Sequence, residues 1–381
     1  MATFLPTPTG SHSTSGSLAA LPGHKEIRMR IKYSHPVLLI AMLLGLGFSS
    51  RPVFSQAPFY QGKIVRIINN DPGGTAGTRV KTVVPYLRKY IPGNPTIIVE
   101  FVEGGGGRRA ANQVFSSTKP DGLTIGALSS AAIGLSVMRE TGVMYDIDKF
   151  IYLGTPVSEN HNVIYTRREL GLNNLEKLRA ASGLKLGAQE VGAVAYISAR
   201  LFAYFLDLKA PKFVTGYSSL EADVALINGE IDSRANNTTS VLRRNREWVE
   251  KGIMDFHAIL AVPKSEKHPH PKFAQLPEIE SFAKTEKEKK LLSMWRGFRT
   301  ATSPFVLPPG TPKDRVEILQ DAMRKVFKDP EFRAEFQKLV SDEVSPLTPE
   351  ELAKTIREMP RDPEVVEMLK KFSGVDTLPS R

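Results

Sequence analysis

From Lys63 onward the chain repeats one pattern: a short β-branched apolar run, a turn rich in Gly or Ser, then apolar residues at helical spacing. Lys63-Ile64-Val65-Arg66-Ile67-Ile68 is the first such strand, and the helix after it sets Val80, Val83, Val84 and Leu87 on one face. Pro85 lies inside that helix and is expected to kink or divide it. Thr96-Ile97-Ile98-Val99, the turn Gly104 to Gly107 and the stripe Ala110, Ala111, Val114 and Phe115 repeat the unit, and Thr124 to Leu128 makes a third strand. A second set starts at Asn162-Val163-Ile164-Tyr165. It runs through Lys185-Leu186-Gly187, Phe213-Val214-Thr215 and Glu230-Ile231-Asp232, and closes with Ala258 to Val262. This rhythm predicts an α/β protein with two mainly parallel sheets flanked by crossover helices.

Pro263 to Lys290 is polar and charged and reads as a connection between lobes rather than a core element. Beyond it come the apolar Phe305-Val306-Leu307 and a helix carrying Val316, Leu319, Met323, Val326 and Phe327. Two more helices open at Asp329-Pro330 and at Thr348-Pro349-Glu350-Glu351, the latter a capping box with Pro at the first helical position. The expected division is 1–57 as an extension plus signal, 58–160 together with 264–381 as lobe 1, and 161–263 as lobe 2.

With 381 residues there is chain enough for two cores of ordinary domain size. The absence of cysteine removes disulfides, thiolate metal sites and a cysteine nucleophile. The net charge of +11 suggests nucleic acid at first sight, but Lys25, Arg28, Arg30, Lys32 and Arg51, against Glu26, put +4 of it before residue 57, leaving +7. The remaining Lys and Arg are interleaved with Asp and Glu, and no basic stripe alternates with aromatics, so nucleic acid is not expected as a partner.

Residues 1–24 are rich in Ser, Thr, Gly and Pro without periodicity; they are expected to be disordered or to precede the native start, with Met29 as that start. A basic stretch, the apolar run Val37 to Phe48 and Ser55-Gln56-Ala57 then follow in the order of a secretory signal, with cleavage expected near Ala57. The apolar run is well short of the roughly 20 residues a membrane-spanning helix needs. Export to the periplasm is the expectation.

Candidate chemistry sits in the turns. Gly73, Gly74, Thr75, Ala76 and Gly77 lie between a strand and a helix, where backbone N–H groups and the helix dipole favour an anion; a tight turn that binds nothing fits the same residues. The segment matches neither the P-loop nor G-x-G-x-x-G. Gly105, Gly106 and Gly107 form a second such turn, with Arg108 and Arg109 as countercharge or as surface residues, and Ser129 follows the third strand. Parallel neighbouring strands would bring these turns to one sheet edge. In the second lobe Gly192 and Ala193 precede a helix, and Tyr217 is either core or cleft wall. Ser218 and Glu221 have capping-box spacing, and Asn236 offers an uncharged donor. The histidines beyond residue 57, His161, His257, His268 and His270, show no metal spacing and no nucleophile elbow, and no carboxylate pair stands at a loop end. No enzyme, metal or cofactor is expected.

Pro72-Gly73-Gly74, Ile91-Pro92-Gly93-Asn94-Pro95, Gly104 to Gly107 leading into Ala110-Ala111-Asn112, Lys119-Pro120-Asp121-Gly122, Gly216-Tyr217, Asn228-Gly229-Glu230-Ile231-Asp232 and Leu307-Pro308-Pro309-Gly310-Thr311-Pro312 occur in an ordered series. From Lys63 to about Met359 this series resembles the periplasmic solute receptors of tripartite tricarboxylate transporters, the TctC or Bug-type proteins. The resemblance implies a monomeric two-lobed clamp that closes on a small organic acid, holding its carboxylate by backbone amides and water on the two glycine loops. It also implies delivery to a membrane permease of one large and one small subunit, or, in some members, signalling to a sensor kinase. A hydrolase or transferase on the same scaffold is the remaining alternative. Two positions depart from the family: Gly77 stands where an acid is common, and Ala193 near where a Ser or Thr is common.

Overall fold

The structure is a computed structural model and describes residues 57–73, 75–158, 161–260, 267–340 and 343–381. The predicted extension, the secretory signal and Gly74 lie outside the described residues. Among those described, no helix is long and apolar enough to cross a membrane.

Among the described residues, ten strands form two five-stranded sheets. The first holds β1 (Ile64–Asn69), β2 (Thr96–Phe101), β3 (Thr124–Ala127), β4 (Ile151–Gly154) and, from much later in the chain, β10 (Phe305–Leu307), in the order β2-β1-β3-β10-β4. The second holds β5 (Asn162–Arg167), β6 (Lys185–Gly187), β7 (Lys212–Val214), β8 (Ser233–Asn237) and β9 (Met254–Leu260), in the order β7-β6-β8-β5-β9. Each is mixed rather than wholly parallel. β1 pairs parallel with β2 and β3, whereas β10 runs antiparallel to both its neighbours. β6 pairs parallel with β7 and β8, and β5 runs antiparallel to β8 and β9. In both sheets the single reversed strand lies next to an edge and belongs to a chain segment entering from the other sheet's side.

Period-two alternation decides which core each side chain joins. Val65 and Ile67 of β1 pack with Val80, Val83 and Leu87 of the helix Thr75–Tyr90, while Ile68 faces the opposite cluster with Ala110, Ala111 and Val114. That second cluster continues without a break into Ile164, Leu186, Ala235 and the helix Val194–Phe205, so apolar packing links the two sheets. Arg200, buried in that helix, donates to the carbonyls of Lys371 and Asp376 at 3.0 and 2.6 Å and stacks over the Phe213 ring. The C-terminal segment thereby anchors the helix.

Four local expectations change. The helix Thr75–Tyr90 runs unbroken through Pro85, which is exposed; the carbonyl of Lys81, deprived of its intrahelical donor, lies on the solvated face. The strand expected at Glu230 to Asp232 is Ser233–Asn237 instead, a polar sequence that becomes a central strand because tertiary burial outweighs β-propensity. β4 is an additional strand. The segment after residue 266 is not merely a connection: Phe273 is fully buried among Val163, Tyr165 and Trp248, and the Ile259 N–H donates to the Pro277 carbonyl, so Pro271–Phe282 packs on the second sheet. The capping boxes expected at Ser218 and Thr348 are both formed.

Candidate functional site

The loops that follow β1, β3, β6 and β8 all leave the carboxyl ends of their strands, and residues from each meet around one cavity of 530 Å³. From the first sheet come Asp71, Thr75, Ala76 and Ser129; from the second, Gln189, Asn236 and Asn237. Asn69, at the end of β1, fastens two of these loops together: its Nδ2 donates to the Ala127 carbonyl at 2.7 Å and its Oδ1 accepts from the Asp71 N–H at 2.9 Å.

The cavity is cationic. Among the described residues, its charged lining is Arg79, Arg243, Arg244, Arg299 and Asp71. Arg79 and Arg299 are each 7% exposed. Arg79 stands on the buried face of the helix Thr75–Tyr90, one turn after its start, and donates to Ser303 Oγ at 3.2 Å. Arg299 lies in the last turn of the helix Glu286–Thr300, whose preceding buried positions include Trp295 and Phe298. Arg244 comes from the helix Thr238–Arg244; its Nη2 donates to Asp223 Oδ2 at 2.9 Å and to Ser219 Oγ at 3.1 Å. Asp223 also accepts from Arg234 Nη1, so one carboxylate serves two guanidinium groups on this wall.

Two helix N-termini add to the field. Thr75 and Ala76 begin a helix of 16 residues, and Val194 and Ala195 begin one of 12. The first is capped internally, since the Ala76 N–H donates to Asp71 Oδ2 at 3.1 Å. The second has Ala193 at its cap, which among the described residues makes no side-chain cap bond to the first-turn N–H groups. At the back of the cavity Asn162 is 2% exposed; its Nδ2 donates to Ser198 Oγ at 3.3 Å, and among the described residues its Oδ1 meets no donor.

The residues singled out from sequence fall into three groups. Thr75, Ala76, Ser129 and Asn236 line the cavity. Gly73, Gly77, Gly192 and Ala193 support loops or helix starts at its edge; a Cβ on Gly77 would meet the Asp71 carbonyl oxygen, and Gly192 has φ +82°. Gly105, Gly106, Gly107, Tyr217 and Ser218 do not line it. The tetraglycine turn, with positive φ throughout, brings Gly107 against Asn70 and Ser129, where a Cβ would stand 2.7 Å from Ser129 Oγ; its effect on the cavity passes through Ser129. Tyr217 is half-buried in the second sheet's core, and Ser218 is exposed and engaged in its capping box. Arg108 bonds the Thr141 carbonyl and Arg109 is exposed. The four cavity arginines went unread because Arg in a helix is ordinarily a surface residue. A signal was present: Arg79 shares spacing with Val83 and Leu87, and Arg299 with Leu292 and Trp295, so each continues a buried stripe.

No family model and no curated relative matches this chain. Solved structures do. A TctC solute-binding protein from Polaromonas superposes with a TM-score of 0.60 at 15% identity, over 82% of this chain and 98% of that one. The periplasmic binding protein BugD matches with a TM-score of 0.55 at 21% identity, over 82% and 98%. MatC from Rhodopseudomonas palustris, with bound malate, matches with a TM-score of 0.55 at 18% identity, over 82% and 99%. The chain has the α/β fold of the TctC and Bug-type periplasmic solute-binding proteins.

Proposed function

We propose that this chain is an exported periplasmic receptor that captures a small organic anion, a carboxylate, between two lobes and delivers it to a membrane permease. The observation that carries the reading is the charge of the cavity: among the described residues, four guanidinium groups and one carboxylate line a space of 530 Å³. Arg79 and Arg299, the two buried ones, present donors in a fork that suits a carboxylate, and low dielectric strengthens each such bond. The start of the helix Val194–Phe205, whose cap residue Ala193 makes no side-chain cap bond, brings further amide donors to the cavity that Thr75 and Ala76 also line. Ser129 and Asn236 add to the polar shell, with Gly73, Gly77 and Gly105 to Gly107 in the loops beside it. The fold shared with a malate-bound protein agrees with this class of ligand.

The two sheets, with the segment from 161 to about 260 carrying the second, are the two jaws of the clamp. The chemistry asked of the site is recognition and release, without bond making. A secretory leader removed near Ala57 fits the same role. The test is a thermal-shift panel of mono-, di- and tricarboxylates beside sugars and cationic amino acids. A ligand present at 100 times its Kd stabilises by about 2.7 kcal/mol, a shift easily read. Stabilisation by cations or neutral sugars alone, with every organic anion silent, would refute the carboxylate assignment.

A further inference from the structure

Two helices meet the anion cavity with opposite ends. The helix Val194–Phe205 begins there, with Val194 and Ala195 on the wall, and the helix Glu286–Thr300 finishes there, with Arg299 on the wall. Phe205 and Glu288, near their other ends, lie roughly 15 Å away along each axis. One side chain joins these distant ends. Arg381 Nε donates to Glu288 Oε1 at 3.0 Å, and its Nη1 donates to the Phe205 carbonyl at 2.8 Å and to Asp207 Oδ1 at 3.0 Å. Its Nη2 donates to the carbonyl of Phe282, just ahead of the second helix. The Arg381 side chain is only 10% exposed and that of Glu288 4%.

The segment that carries Arg381 runs alongside the first of these helices and is fastened to it in order. Tyr196 Oη donates to the Gly374 carbonyl at 2.8 Å, Arg200 Nη2 to the Asp376 carbonyl, and Arg381 returns a bond to Phe205. Tyr196 and Arg200 stand one turn apart on one helical face, and Tyr196 adjoins the wall residue Ala195. Arg200 also bonds the Lys371 carbonyl in the last turn of the helix Pro363–Ser373, where orphan carbonyls and the helix dipole favour a cation. Being 1% exposed, Arg200 makes these bonds where charge-assisted contacts are strong.

We infer that residues 374–381 are a positioning strap. By tying Phe205 and Glu288 to one guanidinium, Arg381 sets from a distance how the amides of Val194 and Ala195 stand relative to Arg299. Close-packed helices move as stiff rods, so an end released at Arg381 is felt at the cavity. Donors held in place beforehand spare the solute the cost of ordering them. Arg200 and Arg381 are thus positioning residues that touch no solute. The effect on binding rests on the anion reading above; the mechanical link between the two helix ends does not.

Amide hydrogen exchange of the ligand-free protein and titration with succinate, malate and citrate test this on Arg381→Gln and Arg381→Lys. In Arg381→Gln, segments 194–201 and 295–302 at the cavity should exchange faster along with those beside Phe205 and Glu288, while the rest of the protein is unchanged. The Kd of whichever of the three acids binds should rise by about fivefold or more, mostly through faster dissociation. Arg381→Lys keeps the charge beside Glu288 and Asp207 but not the fork that reaches two carbonyls, and should fall between. Faster exchange confined to 202–209 and 282–290 would reduce the segment to a local brace and overturn the proposal. Uniform acceleration across the protein, the mark of lost global stability, would overturn it too, as would an unchanged Kd. Silence of all three acids, with exchange still raised at the cavity, would count against the carboxylate reading and leave the strap standing.

Discussion

Gly77 faces the main-chain oxygen of Asp71 so closely that a Cβ built on it would stand 1.9 Å away. The contact joins the first turn of the helix Thr75–Tyr90 to the loop that precedes it, and the Asp71 side chain closes the same turn by accepting the Ala76 N–H. The residue that looked like a missing acid is therefore a packing requirement, and the loop's acid is Asp71.

Gly77→Asp is accordingly expected to damage the site. The new side chain must displace the Asp71 carbonyl, an overpacking effect of ~1–3 kcal/mol, and the Asp71 cap is lost with it. Urea unfolding should show the loss of stability, and titration with the best carboxylate should show weaker binding. A Gly77→Asp protein of unchanged stability and tighter binding would contradict this account.

On the other wall, Asp223 is the common acceptor of Arg234 and Arg244 and also takes a bond from Asn245 Nδ2 at 3.0 Å. Arg234 is 1% exposed, so removing its counterion strands a buried charge. Asp223→Ala is expected to cost about 3–5 kcal/mol of unfolding free energy. Arg244→Met should cost less, because Asp223 then still neutralises Arg234. Equal losses for the two variants would contradict this division of roles.

The fold was largely legible in the chain, and the site only in part. Helical periodicity set Val80, Val83 and Leu87 on one buried face and Ala110, Ala111 and Val114 on another, and all six are buried; that the two faces belong to different cores was not legible. Capping chemistry is local, so Ser218 and Thr348 declared themselves through a Glu three residues on. β8 was misplaced because Ser233-Arg234-Ala235-Asn236-Asn237 carries no β signal; it is a strand through burial that distant β5 and β6 impose. The same nonlocality hid the binding wall. A glycine turn advertises itself in three or four consecutive residues, whereas Arg79, Arg243 and Arg299 become neighbours only after three separated helices have packed.

Buried histidines give the protein an acid limit. Burial lowers His161 and His257 from 6.5 to about 4, and His257 keeps a 2.8 Å bond to Thr166 Oγ1. Because the folded pKa is the lower one, the unfolded chain binds more protons between pH 6.5 and about 4. Stability is thus full above that window and falls as pH drops through it, by about 1.4 kcal/mol per pH unit for each such histidine. Denaturant unfolding across this range should show the slope, and His257→Gln, whose amide can still bond Thr166, should reduce it by one proton. A slope unaltered in that variant would remove His257 from the explanation.

Asn162 supplies the test that reaches selectivity. Its Nδ2 is committed to Ser198, and its Oδ1 is buried against the cavity with no donor among the described residues. A buried acceptor left unmade costs about 1–3 kcal/mol, so a solute that brings a hydroxyl to it gains what a deoxy analogue cannot. Malate is therefore expected to bind more tightly than succinate, two diacids of the same carbon count that differ by one hydroxyl. Asn162→Leu should erase the difference by weakening malate while succinate keeps or improves its affinity, since the orphaned acceptor is gone. If the variant lowers both affinities by the same factor, Asn162 shapes the cavity without reading the ligand; if it leaves the malate preference intact, the hydroxyl is recognised elsewhere.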